Sequence, residues 1–329
     1  MIEKKLIGVF RRSVRAASLR ESRITAEICA ARKRDAEAEK EMNGQGLVYA
    51  VQRTERVSGG WNDTHSEIFL LHGRKKVLIK KVDGSIYSLV EHEGDIYFSL
   101  SHKEGGVSIN KLLENSELRK ISTINPTERE SFYMNELFLV LSKGRLYGSS
   151  WSFLGDTYLD RVLLDMRENP EDHTIIDSVC SGLGGVFISY GETITHVSSL
   201  DGSIKKKRVA GVRTEGKIAD IAFHNGQLFY VSSKGLHPNE GYDLNLIDFE
   251  KRVKRQVGYV YREYSPKLAS CNGLLYMGDS ELNRLDLTRY PAELNLITSV
   301  RQNDQLLDNV SAMCAVSPEL KQRILARAA

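Results

Sequence analysis

The stretch from His224 to Val231, HNGQLFYV, couples a tight turn to an apolar strand, and close relatives of it recur along the whole chain. They are GQGLVYAV at Gly44, HEGDIYFSL at His92, SKGRLYGSS at Ser142, GLGGVFISY at Gly182, HNGQLFYV itself and CNGLLYMG at Cys271. Measured at Gly46, Gly94, Gly144, Gly185, Gly226 and Gly273, the last turn glycine of each, the intervals are 48, 50, 41, 41 and 47 residues. Self-similarity at this period points to one supersecondary unit, copied and stacked. Each glycine falls where a two-residue hairpin needs positive φ, and Asn-Gly favours the turn whose twist matches its strands.

Three further short strands fit around each phrase. The second unit reads SIYSLVEH, DIYFSLS, VSINKLL and ELRKIS, and the fifth reads IADIAFH, QLFYVSS, DLNLIDF and RVKRQVG. Four antiparallel strands per unit, repeated radially, resemble the β-propeller architecture over residues 44–317. That resemblance implies an all-β fold, a six-bladed propeller of four-stranded antiparallel blades. The first unit offers only LVYAVQR, SEIFLLH and KKVLIKK, and the segment from Asp308 to Val316, DNVSAMCAV, has the pattern of the strand it lacks. The C-terminal strand is therefore expected to complete the first blade and close the ring, which protects sheet edges. A seventh, degenerate blade is the main alternative. Neither Gly-His nor Trp-Asp dipeptides occur, while the paired glycines Gly59-Gly60 and Gly105-Gly106 resemble kelch repeats without their regular Tyr and Trp partners. No residue role carries over from any one propeller family.

The first 43 residues have another pattern. They contain no proline, and Phe10, Val14, Ala17, Ile24 and Ile28 fall on one face of a helix. Residues 1–34 carry a net charge of +7 and residues 35–41 one of −3, so the excess basicity of a chain of net +3 lies in this arm. A long N-terminal amphipathic α-helix is expected over 1–43, docking on the body, self-associating, or binding a partner, a membrane surface or a targeting receptor. Residues 318–329 form a short tail, read as helical without an assigned role. No segment approaches the run of apolar residues a membrane-spanning helix needs, and a cytoplasmic location is expected. Cys29, Cys180, Cys271 and Cys314 lack the spacing of a zinc knuckle and read as reduced, packed thiols.

No phosphate loop, nucleophile elbow or metal-ligand spacing occurs, so neither metal nor cofactor is implied. His92 and His224 sit two residues before a turn glycine, which favours capping of turn backbone over chemistry. Val82-Asp-Gly-Ser and Leu200-Asp-Gly-Ser read as hairpin turns. The loops between second and third strands are long in the first, third and fifth units, at 54–65, 149–158 and 232–243. All must emerge on one face, where insertions of repeat proteins carry function. They hold Trp61, Asn62, Asp63, His65, Trp151, Phe153, Asp156, His237 and Tyr242, aromatic anchors among polar groups that suit either a binding surface or the packing of each loop onto its blade. Lys205, Lys206, Lys207, Arg208, Arg252, Lys254 and Arg255 form a basic rim on outermost strands, suited to a polyanion or to keeping sheet edges apart. With the body near neutrality and no aromatic interleaving, nucleic acid is the less favoured partner. The sequence thus favours a non-enzymatic scaffold that binds a protein or peptide through its long-loop face, with the N-terminal helix as a second contact. A propeller hydrolase or lyase with a polar site at the channel mouth is the alternative, since fold does not choose between them.

Overall fold

A computed structural model describes residues 44–328, apart from 57–61, 103–105, 114–116, 125–136, 151–152, 157–160, 166–174, 199–204, 210–211, 213–215, 235–240, 261–264 and 301–306. The helical reading of residues 1–43, with Phe10, Val14, Ala17, Ile24 and Ile28, lies outside the described residues. The described strands form four-stranded antiparallel sheets, six in number. The first joins β1 (Gly46–Arg56), β2 (Asn62–His72) and β3 (Lys75–Asp83) to the last strand of the chain, β24 (Leu307–Val316), in the order β24-β1-β2-β3. The second runs β4 (Ser85–His92), β5 (Asp95–Ser101), β6 (Val107–Leu112) and β7 (Leu118–Ile124). The third is β8 (Phe138–Ser142), β9 (Arg145–Ser150), β10 (Phe153–Asp156) and β11 (Arg161–Asp165), and the fourth β12 (Ile176–Gly182), β13 (Gly185–Tyr190), β14 (Thr193–Ser198) and β15 (Lys205–Arg208). The fifth is β16 (Ile218–His224), β17 (Gln227–Ser233), β18 (Tyr242–Asp248) and β19 (Val253–Val260), and the sixth β20 (Lys267–Cys271), β21 (Leu274–Gly278), β22 (Glu281–Asp286) and β23 (Glu293–Ser299).

The innermost strands β4, β8, β12, β16, β20 and β24 pack against one another in that order, and β24 packs against β4. The protein is a β-propeller of four-stranded antiparallel blades whose C-terminal strand completes the first sheet. Burial explains why the phrase after each turn is so apolar. A second strand is covered on both faces by neighbouring sheets, as in β5, where every residue after Asp95 is buried. Such strands lose the polar alternation of a half-exposed strand. Outermost strands face water and can be wholly charged, as in β15. The core is correspondingly divided among the seams between adjacent sheets. Phe187 and Ile194 of the fourth sheet pack with Ile218, Leu228 and Tyr230 of the fifth, and Tyr49 and Phe69 of the first with Ala269 and Tyr276 of the sixth.

Five inner hairpins turn through residue pairs with both φ angles positive: Glu93-Gly94, Lys143-Gly144, Leu183-Gly184, Asn225-Gly226 and Asn272-Gly273. This is the geometry whose twist matches its strands. In the fourth repeat the turn glycine is Gly184, and Gly185 already begins β13. Gly46 is likewise the first residue of β1 and occupies no turn, because the inner strand of its blade comes from the far end of the chain. A Cβ on Gly46 would approach Leu70 Cδ1 to 2.8 Å, so close packing explains this glycine. Asp83-Gly84 differs from expectation too. It joins β3 of one sheet to β4 of the next, with Gly84 at φ +115°, and is a link between blades and no hairpin.

The tail is a helix, α1 (Pro318–Ala328). Ser317 caps it, with its Oγ accepting from Leu320 N at 3.3 Å, and Pro318 occupies the first position, where a missing N–H costs nothing. The Glu91 carboxylate accepts hydrogen bonds from both Ser317 N and Ser317 Oγ, and Arg323 donates to the Gly94 carbonyl. Leu320 and Ile324 enter the seam between the first and second sheets. A role left unassigned in the sequence is therefore that of a clasp, fastening the last strand to the neighbouring β4–β5 hairpin.

Candidate functional site

Chain direction decides which loops share a face. Each inner strand runs from one end of the disc to the other, so connections between second and third strands return to the end where inner strands begin. That end carries the Asp83-Gly84 link between blades. A cavity of about 430 Å³ opens at the same end. It is lined by the early residues of all the inner strands: Tyr87, Phe138, Asp177, Ile218, Ala219, Lys267 and Ser311. A further 230 Å³ continues down the channel past Ser88, Ser178, Asp220 and Ser270. The channel mouth thus opens at the end where the inner strands begin.

A local irregularity aims these side chains. The pairing of β4 with β5 skips Tyr87, that of β12 with β13 skips Asp177, that of β16 with β17 skips Ala219, and that of β24 with β1 skips Ser311. Each skipped residue is a β-bulge, which leaves one residue outside the ladder and redirects its side chain. All four line the mouth. Phe138 and Lys267 reach it without a bulge, as the first residues of β8 and β20.

The charges at the mouth are uneven. Asp177 is buried, is paired with Lys217 Nζ at 2.5 Å and accepts a hydrogen bond from Gly191 N at 2.8 Å. Lys267 has no carboxylate within ion-pair distance among the described residues, and its Nζ lies 5.8 Å from the centre of the Phe138 ring. Deeper in, Asp220 accepts from Ser178 Oγ and from Leu268 N at 2.6 Å. Burial pushes the Asp220 carboxyl up against the pull of Lys267 and these hydrogen bonds. Ser311, 5% exposed, has no hydrogen-bond partner for its Oγ among the described residues. Because that hydroxyl is left unsatisfied, Ser311→Ala is expected to leave stability unchanged or raise it by up to ~1 kcal/mol. Urea denaturation measures this, and a loss beyond ~1 kcal/mol would show a paired hydroxyl.

The sequence-predicted residues divide. Trp61, Trp151 and His237 lie outside the described residues. Asn62, Asp63 and His65 belong to β2, because β1 and β2 extend well into the stretch read as a loop. Phe153 and Asp156 belong to β10, the third strand of its blade, which sequence reading had placed beyond the loop. Tyr242 is no exposed anchor: it begins β18, is 4% exposed, and lines the mouth beside Ser265. Lys205, Lys206, Lys207 and Arg208 are exposed on β15, and Lys254 and Arg255 lie on β19 of the next sheet, with Arg252 in the turn before it.

His224 is buried next to its turn, with Nδ1 2.9 Å from Ser270 Oγ and Nε2 3.0 Å from Asn225 Nδ2. Burial lowers its pKa. The unfolded chain then takes up the proton first, near pH 6.5, and stability falls as pH drops from there towards the lower folded value. The contribution has a slope of at most about 1.4 kcal/mol per pH unit. Urea midpoints between pH 7 and 5 should show this decline, and His224→Gln should flatten it. Burial also pushes the Cys180 and Cys314 thiols up, which leaves them poor nucleophiles. Among the described residues no cluster of His, Cys, Asp and Glu could hold a metal ion, and no helix is long and apolar enough to cross a membrane.

No family model and no curated protein matches the sequence. Solved structures do resemble the fold. A chain of a nidogen/laminin complex superposes with a TM-score of 0.55 at 12% identity, over 82% of this chain and 99% of that one. TolB from Acinetobacter baumannii gives 0.48 at 11% identity, over 84% and 67%. The first likeness supports the β-propeller fold and nothing finer.

Proposed function

We propose that the protein is a non-enzymatic interaction module, a six-bladed propeller that seats a segment of a protein or peptide partner on its long-loop face. The N-terminal helix of residues 1–43 supplies a second contact. The observation that carries this reading is a mouth lined from every inner strand at the end where those strands begin. Four of those strands are bulged at the lining residue, and such irregularities in a repeat recur where a side chain has to be re-aimed. Aromatic Tyr87 and Phe138 beside Lys267 offer anchor and charge together, as binding surfaces do. A hydrolase or lyase would need a nucleophile or base poised at the mouth. Among the described residues that line it there is no histidine or cysteine, and the Asp177 carboxylate is tied to Lys217.

A photo-crosslinking residue placed at Asn309, beside the mouth, or at Lys143, in a hairpin at the opposite end, tests the assignment in the full-length protein in its own cells. The expected result is a discrete protein adduct from position 309 that position 143 does not give. The same adduct from both positions, or none from 309, would overturn it.

A further inference from the structure

The channel mouth carries more chemical information than an apolar anchor needs. Ser311 and Lys267 lie on adjacent inner strands, β24 and β20, and both line the mouth and the channel below it. The Ser311 hydroxyl is buried, is turned out of its ladder by the bulge and has no partner among the described residues. The Lys267 ammonium has no ion pair among the described residues and is backed by the Phe138 ring. Among the described residues, the other charges near this point have partners of their own. Asp177 and Lys217 neutralise each other, and Asp220 is satisfied by Ser178 Oγ and Leu268 N while burial raises its pKa. One ammonium without an ion pair among the described residues remains beside one unused hydroxyl donor, with Asp220 acting on it from deeper in the channel and the amides of Gln52 and Asn309 on the same wall.

We propose that the mouth is a seat for a single carboxylate, which pairs with Lys267 Nζ and accepts a hydrogen bond from Ser311 Oγ. This deepens the interaction reading and rests on it, because it names what the partner presents: an Asp or Glu side chain, a C-terminal carboxylate, or the same group on a free small acid. A carboxylate matches one cation and a few neutral donors, whereas a phosphate dianion calls for a larger cluster of cations. Pairing in a recess that partly excludes water is stronger than the same contact on an open surface.

The test uses full-length protein with labelled alanine methyls and four probes: succinate, a capped Gly-Gly-Glu-Gly-Gly peptide amide, its Gln counterpart, and Gly-Gly-Gly-Gly-Gly with a free carboxyl terminus. Saturable shifts of the Ala219 methyl, which lines the mouth, are expected with at least one carboxylate probe and none with the Gln peptide. Lys267→Met should weaken binding at least about ten-fold and Ser311→Ala about five-fold, in line with a charge-assisted and a neutral hydrogen bond. The remaining alanine methyls report that each variant is folded. Preference for the Glu peptide identifies a side chain, preference for the free terminus a chain end, and equal response to succinate a free acid. No saturable shift with any carboxylate, or equal affinity in Lys267→Met, overturns the proposal. The crosslink from position 309 separates the two readings. If it forms undiminished in Lys267→Met, the interaction face stands without the carboxylate seat; if it never forms, both fail together.

Discussion

Removal of residues 307–329 is expected to leave a chain without a cooperative unfolding transition. The deletion takes away β24, the inner strand of the first sheet, and exposes the long edge of β1, whose residues from Gly46 to Thr54 pair with it. An open, apolar edge of this length is a template for aggregation. The deletion also strips Val310 from one seam and Ala312, Val316, Leu320 and Ile324 from the other. At roughly 1.5 to 3 kcal/mol for each large buried side chain, the loss rivals the entire stability of a typical domain, about 5–15 kcal/mol. A chain ending at Ser317 makes the matched comparison. It keeps β24 and loses only the helix, with Leu320 and Ile324, so it should fold with a stability lower by about 3–6 kcal/mol. Circular dichroism with thermal and urea melts separates these outcomes. A cooperative melt for the shorter chain would mean that the blades do not need a closed ring.

Arg53→Met should cost about 3–5 kcal/mol, more than any other single substitution considered. Arg53 is 2% exposed, yet it carries a charge at the junction where β1 pairs with the closing strand β24. Its Nε donates to Glu67 on β2 at 2.6 Å, and its Nη1 to Asp308 on β24 and to the Val300 carbonyl at 3.0 Å. One guanidinium thus ties together the second and third strands of the first sheet, its closing strand and the end of the sixth sheet. The Asp308 side chain is fully buried, so removal of the arginine takes the paired cation away from a carboxylate in the interior. Breaking one partner of a buried pair is costly for that reason, even where the intact pair adds little. Arg53→Met, Asp308→Asn should recover part of the loss, because the buried carboxylate charge goes with its cation. Urea unfolding of the two single variants and the double variant gives the coupling. Equal, additive losses would mean that the pair does not interact.

What the sequence disclosed follows from how regular each feature is. Inner hairpins repeat because two positive φ angles restrict the turn to few residue types, so Gly94, Gly144, Gly226 and Gly273 are visible as punctuation. β4, β5, β16 and β17 have the bounds that turn spacing predicts. The closing strand was legible as the part the first unit lacked. The mouth was not legible, because its lining residues share a place and no chemistry. Tyr87, Asp177 and Ala219 stand seven residues before Gly94, Gly184 and Gly226, while Phe138 and Lys267 stand six before Gly144 and Gly273. Aligning the repeats on the turn glycine would have found this column, and the one-residue difference would have marked the bulges. In the fourth repeat a second glycine, Gly185, follows the turn glycine Gly184 and obscures the match by one residue. Tyr242 misled for a different reason: an aromatic after a Gly-rich loop reads as exposed, whereas the first residue of a third strand points into the mouth wall. α1 went without a role because only its packing on the β4–β5 hairpin shows what its apolar face covers.

The closed ring, with one mouth drawn from every inner strand, is tested most directly by hydrogen exchange of the amides of Asp308 to Val316 in the full-length protein. The account predicts that they exchange in the slowest class, together with those of Leu47 to Val51 on β1, because the two strands open only when the ring does. Exchange at the rate of a free tail, with β1 still protected, would contradict it: β24 would then be no part of the ring, and Ser311 would have no place at the mouth.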